Sequence, residues 1–141
     1  MTPTTGEKDL SILLATMQPV LDTTVYVFLT TKEPLSSLPL ATLRPQLTVQ
    51  EDEGTTIVTT EALALSHGFT ESVFPCKKVS LKIHSSLEAV GLIATITNRL
   101  KLDGISTNVV SGYFHDHIYV PAGRAEDAMR VLMELVAEAK Q

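Results

Sequence analysis

Residues 76–104, CKKVSLKIHSSLEAVGLIATITNRLKLDG, carry the pattern from which we predict the fold class. It opens with apolar and polar residues in alternation, which is typical of a strand with one buried face. Ser85 and Glu88 follow as an S-x-x-E capping box, in which each side chain satisfies a backbone N–H group at the start of a helix. The box predicts a helix from about Ser86 to Leu102, and Gly104 suits the left-handed residue just past its end. We therefore expect a strand followed directly by a helix.

The residues after Gly104 predict two more strands and a helix. The segments ISTNVVS (105–111) and FHDHIYV (114–120) predict strands that turn at Ser111 and Gly112. The final segment predicts a helix ending near Lys140, because its apolar residues recur at helical spacing: Ala125, Ala128, Met129, Leu132, Leu135, Val136 and Ala139. The order strand, helix, strand, strand, helix is the ferredoxin-like arrangement without its last strand. Another segment must supply the missing edge strand.

The first half of the chain predicts similar elements in a less regular form. They are a helix over Glu7–Met17, a strand over Thr23–Thr31, a short helical turn between Leu35 and Leu38, two strands around a turn at Asp52–Gly54, and a short helix closed by Gly68. By element order this half is a degraded copy of the second. We predict an α+β fold of tandem ferredoxin-like units, with antiparallel sheets and helices packed on one face, divided into residues 1–74 and 75–141.

Composition limits the partners and the compartment. The 141 residues include 16 acidic and 11 basic side chains, and the net charge of -5 disfavours nucleic acid. The single cysteine, Cys76, cannot form an internal disulfide, and we expect a buried structural thiol. The first residues lack a signal-peptide pattern, and no apolar run reaches the ~18 residues that cross a bilayer. We therefore expect a cytoplasmic protein that does not associate with membranes.

The segment FHDHIYV carries the residues most suggestive of chemistry. Residues two apart on a strand share a face. Asp116 should therefore lie with Ile118 and Val120 against the helices, while His115 and His117 lie on the opposite face, which no helix covers. The same open face should receive Tyr119 and the polar residues of the neighbouring strand, Lys78, Ser80 and Lys82.

Several roles are open for the two histidines. A zinc site normally takes three or four protein ligands, and no third ligand with matching spacing accompanies His115 and His117. The imidazoles can instead be hydrogen-bonded packing at a domain or dimer interface, or donors to an effector carboxylate. A hydrolase triad of Ser85, His115 and Asp116 is disfavoured, because adjacent strand residues point apart. We predict no metal and no cofactor, and we favour a chain without catalytic residues.

The segment GLIATITNRLKLDGIS, residues 91–106, resembles the first helix and second strand of the ACT-domain family. With IHSSLEAVG before it and ISTNVVSGYFHDHIYVP after it, the chain is similar to small stand-alone proteins built from two ACT-like halves, and more distantly to the tandem-ACT cytosolic arginine sensors. ACT domains bind amino acids or other small effectors, commonly where two domains meet, and pass the signal to an enzyme or partner. The resemblance implies ligand contacts from the loop after the first strand and from the second strand: His84, Ser85, Ser86, Leu87, Glu88, Gly91 and Asn108.

These observations favour a non-catalytic regulatory protein that senses a small molecule, an amino acid. Its effector would lie between the two halves or across a dimer, with His115 and His117 as further candidate contacts. A homo-oligomer is expected, and an enzyme regulated by the chain would have to be a separate chain. Two alternatives remain: an interaction or scaffold module that dimerises without ligand, and a small enzyme that uses the histidine face.

Overall fold

The computed structural model describes residues 9–83 and 90–141. The elements along the chain are α1 (Leu10–Thr16), β1 (Gln18–Thr31), α2 (Leu40–Leu43), β2 (Leu47–Glu51), β3 (Gly54–Thr60), α3 (Glu61–Ser66), β4 (Val73–Lys82), α4 (Leu92–Leu102), β5 (Asn108–Ser111), β6 (Asp116–Pro121) and α5 (Ala125–Ala139), with single 3₁₀ turns at Leu35–Ser37 and Ala122–Arg124. The fold is α+β with tandem ferredoxin-like units, as the sequence predicts.

The chain forms two compact units. The first contains the described residues up to Thr23 together with those from Lys77 onward, and the second is Thr24–Cys76. Strands β1 and β4 therefore contribute residues to both units. The predicted division into residues 1–74 and 75–141 stays a prediction. It separates the two similar halves of the chain, whereas the compact units are groups of residues in contact with one another.

The first unit has the strand order β1-β4-β6-β5. This is the ferredoxin-like order, in which the residues of β1 up to Thr23 take the place of the strand missing after α5. Strands β5 and β6 are antiparallel, with Asn108 opposite Tyr119 and Ser111 opposite Asp116. The missing edge strand thus comes from the start of the chain.

The core of the first unit lies between its strands and the helices α1, α4 and α5. Buried side chains come from alternate strand residues and from one stripe of each helix: Leu13, Val79, Leu81, Leu92, Ile96, Leu100, Ile118, Val120, Ala128, Val131, Leu132 and Leu135. Complete burial of one such aliphatic side chain contributes about 1.5–3 kcal/mol. Ile118 and Val120 are fully buried in this cluster, so their predicted orientation towards the helices is confirmed.

The second unit has the strand order β2-β3-β1-β4, which is the same ferredoxin-like order read from the opposite edge. Its core consists of Val27, Leu29, Leu43, Ile57 and Ala64. The predicted pair of strands around a turn is confirmed, because Glu51 of β2 lies opposite Gly54 of β3. The buried hydroxyl of Thr59 donates to the carbonyl of Leu43 at 2.7 Å, which satisfies both groups inside this small core.

Strand β1 begins earlier than the sequence predicts. It starts at Gln18 instead of Thr23, and Pro19 lies inside it. Proline lacks the N–H group that a strand interior requires and is tolerated where a strand lacks a second partner. The register of β1 with β3 runs from Tyr26 to Thr31, beyond Pro19. The tertiary pairing therefore extends a strand through a residue that usually ends one.

Helix α4 begins later than predicted and ends as predicted. It starts at Leu92 and not near Ser86, because Gly91 adopts a left-handed conformation with φ 93°. At the other end Gly104 has φ 69°, and its N–H donates to the carbonyl of Lys101 at 2.9 Å.

Helix α2 was not predicted. It occupies Leu40–Leu43, after Pro39, and it ends at Arg44, whose φ of 50° is left-handed. The surrounding prolines favour irregular backbone locally, but burial of Leu43 in the core of the second unit stabilises this single turn.

The face of the first unit opposite its helices is less open than predicted. Tyr119 is only 3% exposed and Ser80 only 8% exposed, so the prediction of an open face is wrong at these two positions. Strand β6, which carries Tyr119, lies between β4 and β5, and Ser80 lies on β4 beside it, so both residues belong to inner strands of the sheet.

Candidate functional site

Only part of the predicted site falls within the residues that the structure describes. His84, Ser85, Ser86, Leu87 and Glu88, and with them the predicted capping box, lie outside the described residues. Four other candidates are described: Gly91, Asn108, His115 and His117.

Gly91 forms the start of helix α4. Its φ of 93° is accessible to glycine with little strain, and its carbonyl accepts the helical hydrogen bond from the N–H of Thr95 at 2.9 Å. A Cβ atom added here would lie 3.7 Å from Leu10 Cδ2, an ordinary contact, so conformation and not space requires glycine. Gly91 has no side-chain oxygen with which to cap the helix, and the N-terminus of α4 carries partial positive charge.

His115 lies beside the end of β4, immediately before the predicted ligand loop. Its Nδ1 atom is 3.3 Å from the carbonyl oxygen of Ile83. The N–H of Gly112 donates to the carbonyl of His115 at 2.9 Å and closes the turn between β5 and β6. The turn therefore holds one imidazole against the main chain of the last described residue before the loop.

His117 lies two residues further along and points to the side opposite the helical core. Its Nδ1 atom is 2.8 Å from the Oγ atom of Ser80. A Cβ atom added to Gly112 would lie 3.0 Å from the carbonyl oxygen of His115, which is a tight contact, and 3.4 Å from His117 Nε2. The imidazole is half-buried between two neighbouring strands.

The surroundings of His117 favour its neutral form. Burial lowers the pKa of His117 below its ordinary value of 6.5, and the positive charges of Lys78 and His115 lower it further, while Asp116 partly opposes them. At neutral pH the ring therefore has one N–H donor and one acceptor nitrogen. Whether Nδ1 donates to the Ser80 hydroxyl or accepts from it depends on the tautomer.

Asn108 lies apart from the two histidines. It is exposed on β5 and pairs with Tyr119, four residues from His115 along β6. Four strand residues span about 13 Å. The structure therefore brings His115, His117 and Ser80 together and leaves Asn108 towards the other end of the hairpin.

Two features of this region were missed from the sequence. Tyr113 and Phe114, at the tip of the β5–β6 hairpin, are 82% and 68% exposed, and their ring centroids are 5.0 Å apart with an edge-on geometry. Gly112 forms the turn that the sequence predicts and also has little space for a Cβ atom, which would lie 3.0 Å from the carbonyl oxygen of His115. The turn at Ser111 and Gly112 was predicted, but the following strand was expected from Phe114 and begins at Asp116, so Phe114 lies at the tip of the hairpin.

The remaining candidate chemistry is limited. Across residues 9–83 and 90–141, no cluster of three or more histidine, cysteine, aspartate or glutamate side chains has the proximity that a metal site needs. Asp116, which was expected to lie with Ile118 and Val120 on the side of the helices, is only 9% exposed.

None of the helices in the described chain combines the length and apolar character required to span a membrane.

Comparison with known proteins gives consistent matches along the chain. One ACT-domain family model matches residues 5–77, and a second matches residues 71–134. No curated protein matches the chain. A Vibrio cholerae protein of unknown function, described as a possible transport protein, is 40% identical with a TM-score of 0.81, covering 92% of this chain and 97% of that one.

More distant structures share the fold. A protein from Agrobacterium tumefaciens is 16% identical with a TM-score of 0.67, covering 85% of this chain and 89% of that one. The ligand-free regulatory subunit of aspartate kinase from Thermus thermophilus is 14% identical with a TM-score of 0.61, covering 86% of this chain and 97% of that one. Both family models describe the ACT domain, and together they reach from residue 5 to residue 134. The chain therefore belongs to the ACT-domain family.

Proposed function

We propose that this ACT protein is a non-catalytic regulator that binds an amino acid beside the start of helix α4. Membership of the family along both halves of the chain supports a regulatory role, and aspartate kinase regulatory subunits are among the structures with the same fold. The amino acid, the protein it signals to and the absence of catalysis are parts of the proposal.

The geometry at Gly91 carries this proposal. A left-handed glycine turns the chain into an 11-residue helix without placing a side chain over the helix N-terminus. The first-turn N–H groups and the positive end of the helix dipole suit a carboxylate. The loop residues His84 to Glu88 would surround the ligand, with Glu88 pairing with its α-amino group.

The β5–β6 hairpin supports this site from one side. The Nδ1 atom of His115 lies 3.3 Å from the carbonyl oxygen of Ile83, the last described residue before the loop, and the neutral ring of His117 has one N–H donor and one acceptor nitrogen. Asn108 lies about 13 Å along the hairpin from His115. It would therefore reach the same ligand from a second copy of the chain, which makes a homo-oligomer part of the proposal.

The partner would be an enzyme on another chain in the cytoplasm. The net charge of -5 supports a small-molecule or protein partner over nucleic acid.

Calorimetry with each of the twenty amino acids tests the proposal, and at least one should bind at millimolar concentration or below. Gly91→Ala should weaken that binding at least about tenfold, because alanine at positive φ disfavours the loop geometry. Gly104→Ala is the matched control, since it places the same strain at the opposite end of α4 and should leave affinity within about twofold. If none of the twenty binds, or if both variants lose binding equally, the proposed site is wrong.

The exposed ring pair Tyr113 and Phe114 favours a second candidate, a module that acts through protein contacts without any ligand. Under that alternative, Tyr113→Ser with Phe114→Ser would abolish self-association in sedimentation, and no amino acid would raise the melting temperature. The third candidate, an enzyme on the histidine face, requires that His115→Ala with His117→Ala removes an activity while the fold persists.

A further inference from the structure

We infer that the second unit carries a separate cleft for a small primary amine with an apolar body. This inference is independent of the proposed amino-acid site, which lies in the first unit. The cleft has a volume of about 450 Å³ and is lined by Phe28, Thr30, Thr56, Glu71, Ser72 and Val73, together with Leu29. Pockets for small ligands commonly measure about 300–1,000 Å³, so the space suits a molecule of roughly ten non-hydrogen atoms.

The floor of the cleft is the sheet face opposite the core of the second unit. Thr30 of β1 and Thr56 of β3 are directly opposite each other across the strand pair. Phe28 lies two residues from Thr30 and shares its face, whereas Leu29 belongs to the core cluster on the other face. The floor thus combines one aromatic ring with two threonine side chains.

An edge-on aromatic pair holds the ring of Phe28 in place. Its centroid is 5.8 Å from that of Phe74, with an interplanar angle of 72°. Phe74 has φ 56°, a left-handed conformation that is strained for an aromatic residue. Such strain is concentrated at ligand clamps and active sites, and here it affects the residue next to Val73 in the cleft wall.

The carboxylate of Glu71 favours a positively charged ligand. Within the part of the chain that the structure describes, no hydrogen bond or ion pair engages its carboxylate, and none of the lining residues is a lysine or arginine. Glu71 is exposed and lines the same cleft as the ring of Phe28. A carboxylate and an aromatic ring in one cleft suit an ammonium group attached to an apolar body. A free amino acid would bring a second, negative group that finds no cation there. The cleft therefore favours an amine without a carboxylate.

Phenethylamine is a suitable probe, with phenylacetate and phenethyl alcohol as its anionic and neutral analogues. Nuclear magnetic resonance of the full chain should show saturable shifts at residues 28–30, 56 and 71–73, with a Kd of about 1–10 mM for the amine. Phenylacetate should bind at least about tenfold more weakly.

Variants distinguish a specific effect of the Glu71 carboxylate from a general effect of the net charge. Glu71→Gln should weaken phenethylamine about tenfold and leave phenethyl alcohol unchanged. Glu53→Gln, which removes the same charge from an exposed residue of the same unit outside the cleft, should change Kd less than about twofold. Thr30→Lys, at an exposed strand position, should abolish amine binding by filling the cleft with a cation.

The inference is overturned if phenethylamine causes no saturable shift, or if its shifts lie elsewhere. It is equally overturned if phenylacetate binds as well as the amine or if Glu71→Gln leaves the Kd unchanged. None of these outcomes affects the amino-acid site of the first unit, which is tested by other ligands and by Gly91→Ala.

Discussion

The Nδ1 atom of His117 lies 2.8 Å from the Oγ atom of Ser80, although the two residues are 37 positions apart in the chain. Ser80 belongs to β4 and His117 to β6, which are neighbouring strands of the first unit. The contact joins a nearly buried hydroxyl to an imidazole whose charged form is disfavoured. The contact fixes the position of the imidazole, and burial of that imidazole makes the stability of the first unit sensitive to pH.

Stability should fall when the pH drops below about 6.5. The pKa of His117 in the folded chain is lower than its ordinary value of 6.5, chiefly because of burial. As pH falls, the unfolded chain therefore takes up this proton first, and the stabilisation present above 6.5 is lost progressively down to the folded-state pKa. Urea denaturation at pH 7.5 and 5.5 should show a smaller difference for His117→Gln than for the parent chain. An equal difference in both proteins would contradict the assignment to His117.

Ser80→Ala should reduce the free energy of unfolding by about 1–2 kcal/mol. The substitution leaves a half-buried imidazole nitrogen without its hydroxyl partner, and an unsatisfied polar group of this kind carries a desolvation cost. Chemical denaturation at pH 7.5 measures the loss. Ser106→Ala, at an exposed position of the same unit, should change stability by less than about 0.5 kcal/mol. Equal effects of the two changes would show that the Ser80 contact adds nothing.

Ile118→Ala should cost about 2–5 kcal/mol of unfolding free energy. The side chain is fully buried between the strands and helices of the first unit, and its removal leaves a cavity. Val109→Ala is the control, because Val109 lies directly opposite Ile118 on β5 but is 36% exposed. Its cost should stay near 1 kcal/mol or less. Comparable losses from both variants would argue against the orientation of β6.

The thiol of Cys76 should react with alkylating reagents only when the chain unfolds. It is fully buried, which confirms the structural role predicted from the sequence, and its Sγ atom donates to the carbonyl of Tyr26 at 3.4 Å. Burial raises the pKa of Cys76 to about 12, so at pH 8 only about one thiol in ten thousand is ionised. Mass spectrometry should show negligible labelling by iodoacetamide under native conditions and complete labelling in urea. Rapid native labelling would contradict this burial.

Patterns that depend on near neighbours in the chain were predictable. Alternation along β4 and β6 gave the faces of Val79, Ile118 and Val120, because side chains two apart on a strand must share a side. The turn between β2 and β3 and the glycine after α4 followed from the backbone preferences of their own residues. Each depends on local geometry, and the structure reproduces each.

Properties that depend on distant strands were not predictable. The open face assigned to Tyr119 is wrong, because this residue of an inner strand is only 3% exposed. The site was predicted in parts: a strand pattern gave the orientation of His117, but nothing in it indicated Ser80 as the partner or Ile83 as the contact of His115.

The α+β class, the periodicity of the helices and strands, and the side of β6 that faces the helices could all be predicted from the amino-acid order, since they follow from local conformation and the burial of apolar side chains. Contacts formed in the folded chain were needed to extend β1 through Pro19, which completes the first unit, and to pair His117 with Ser80. Those outcomes require residues far apart in the chain to pair, and the free energy of such pairing belongs to no single segment.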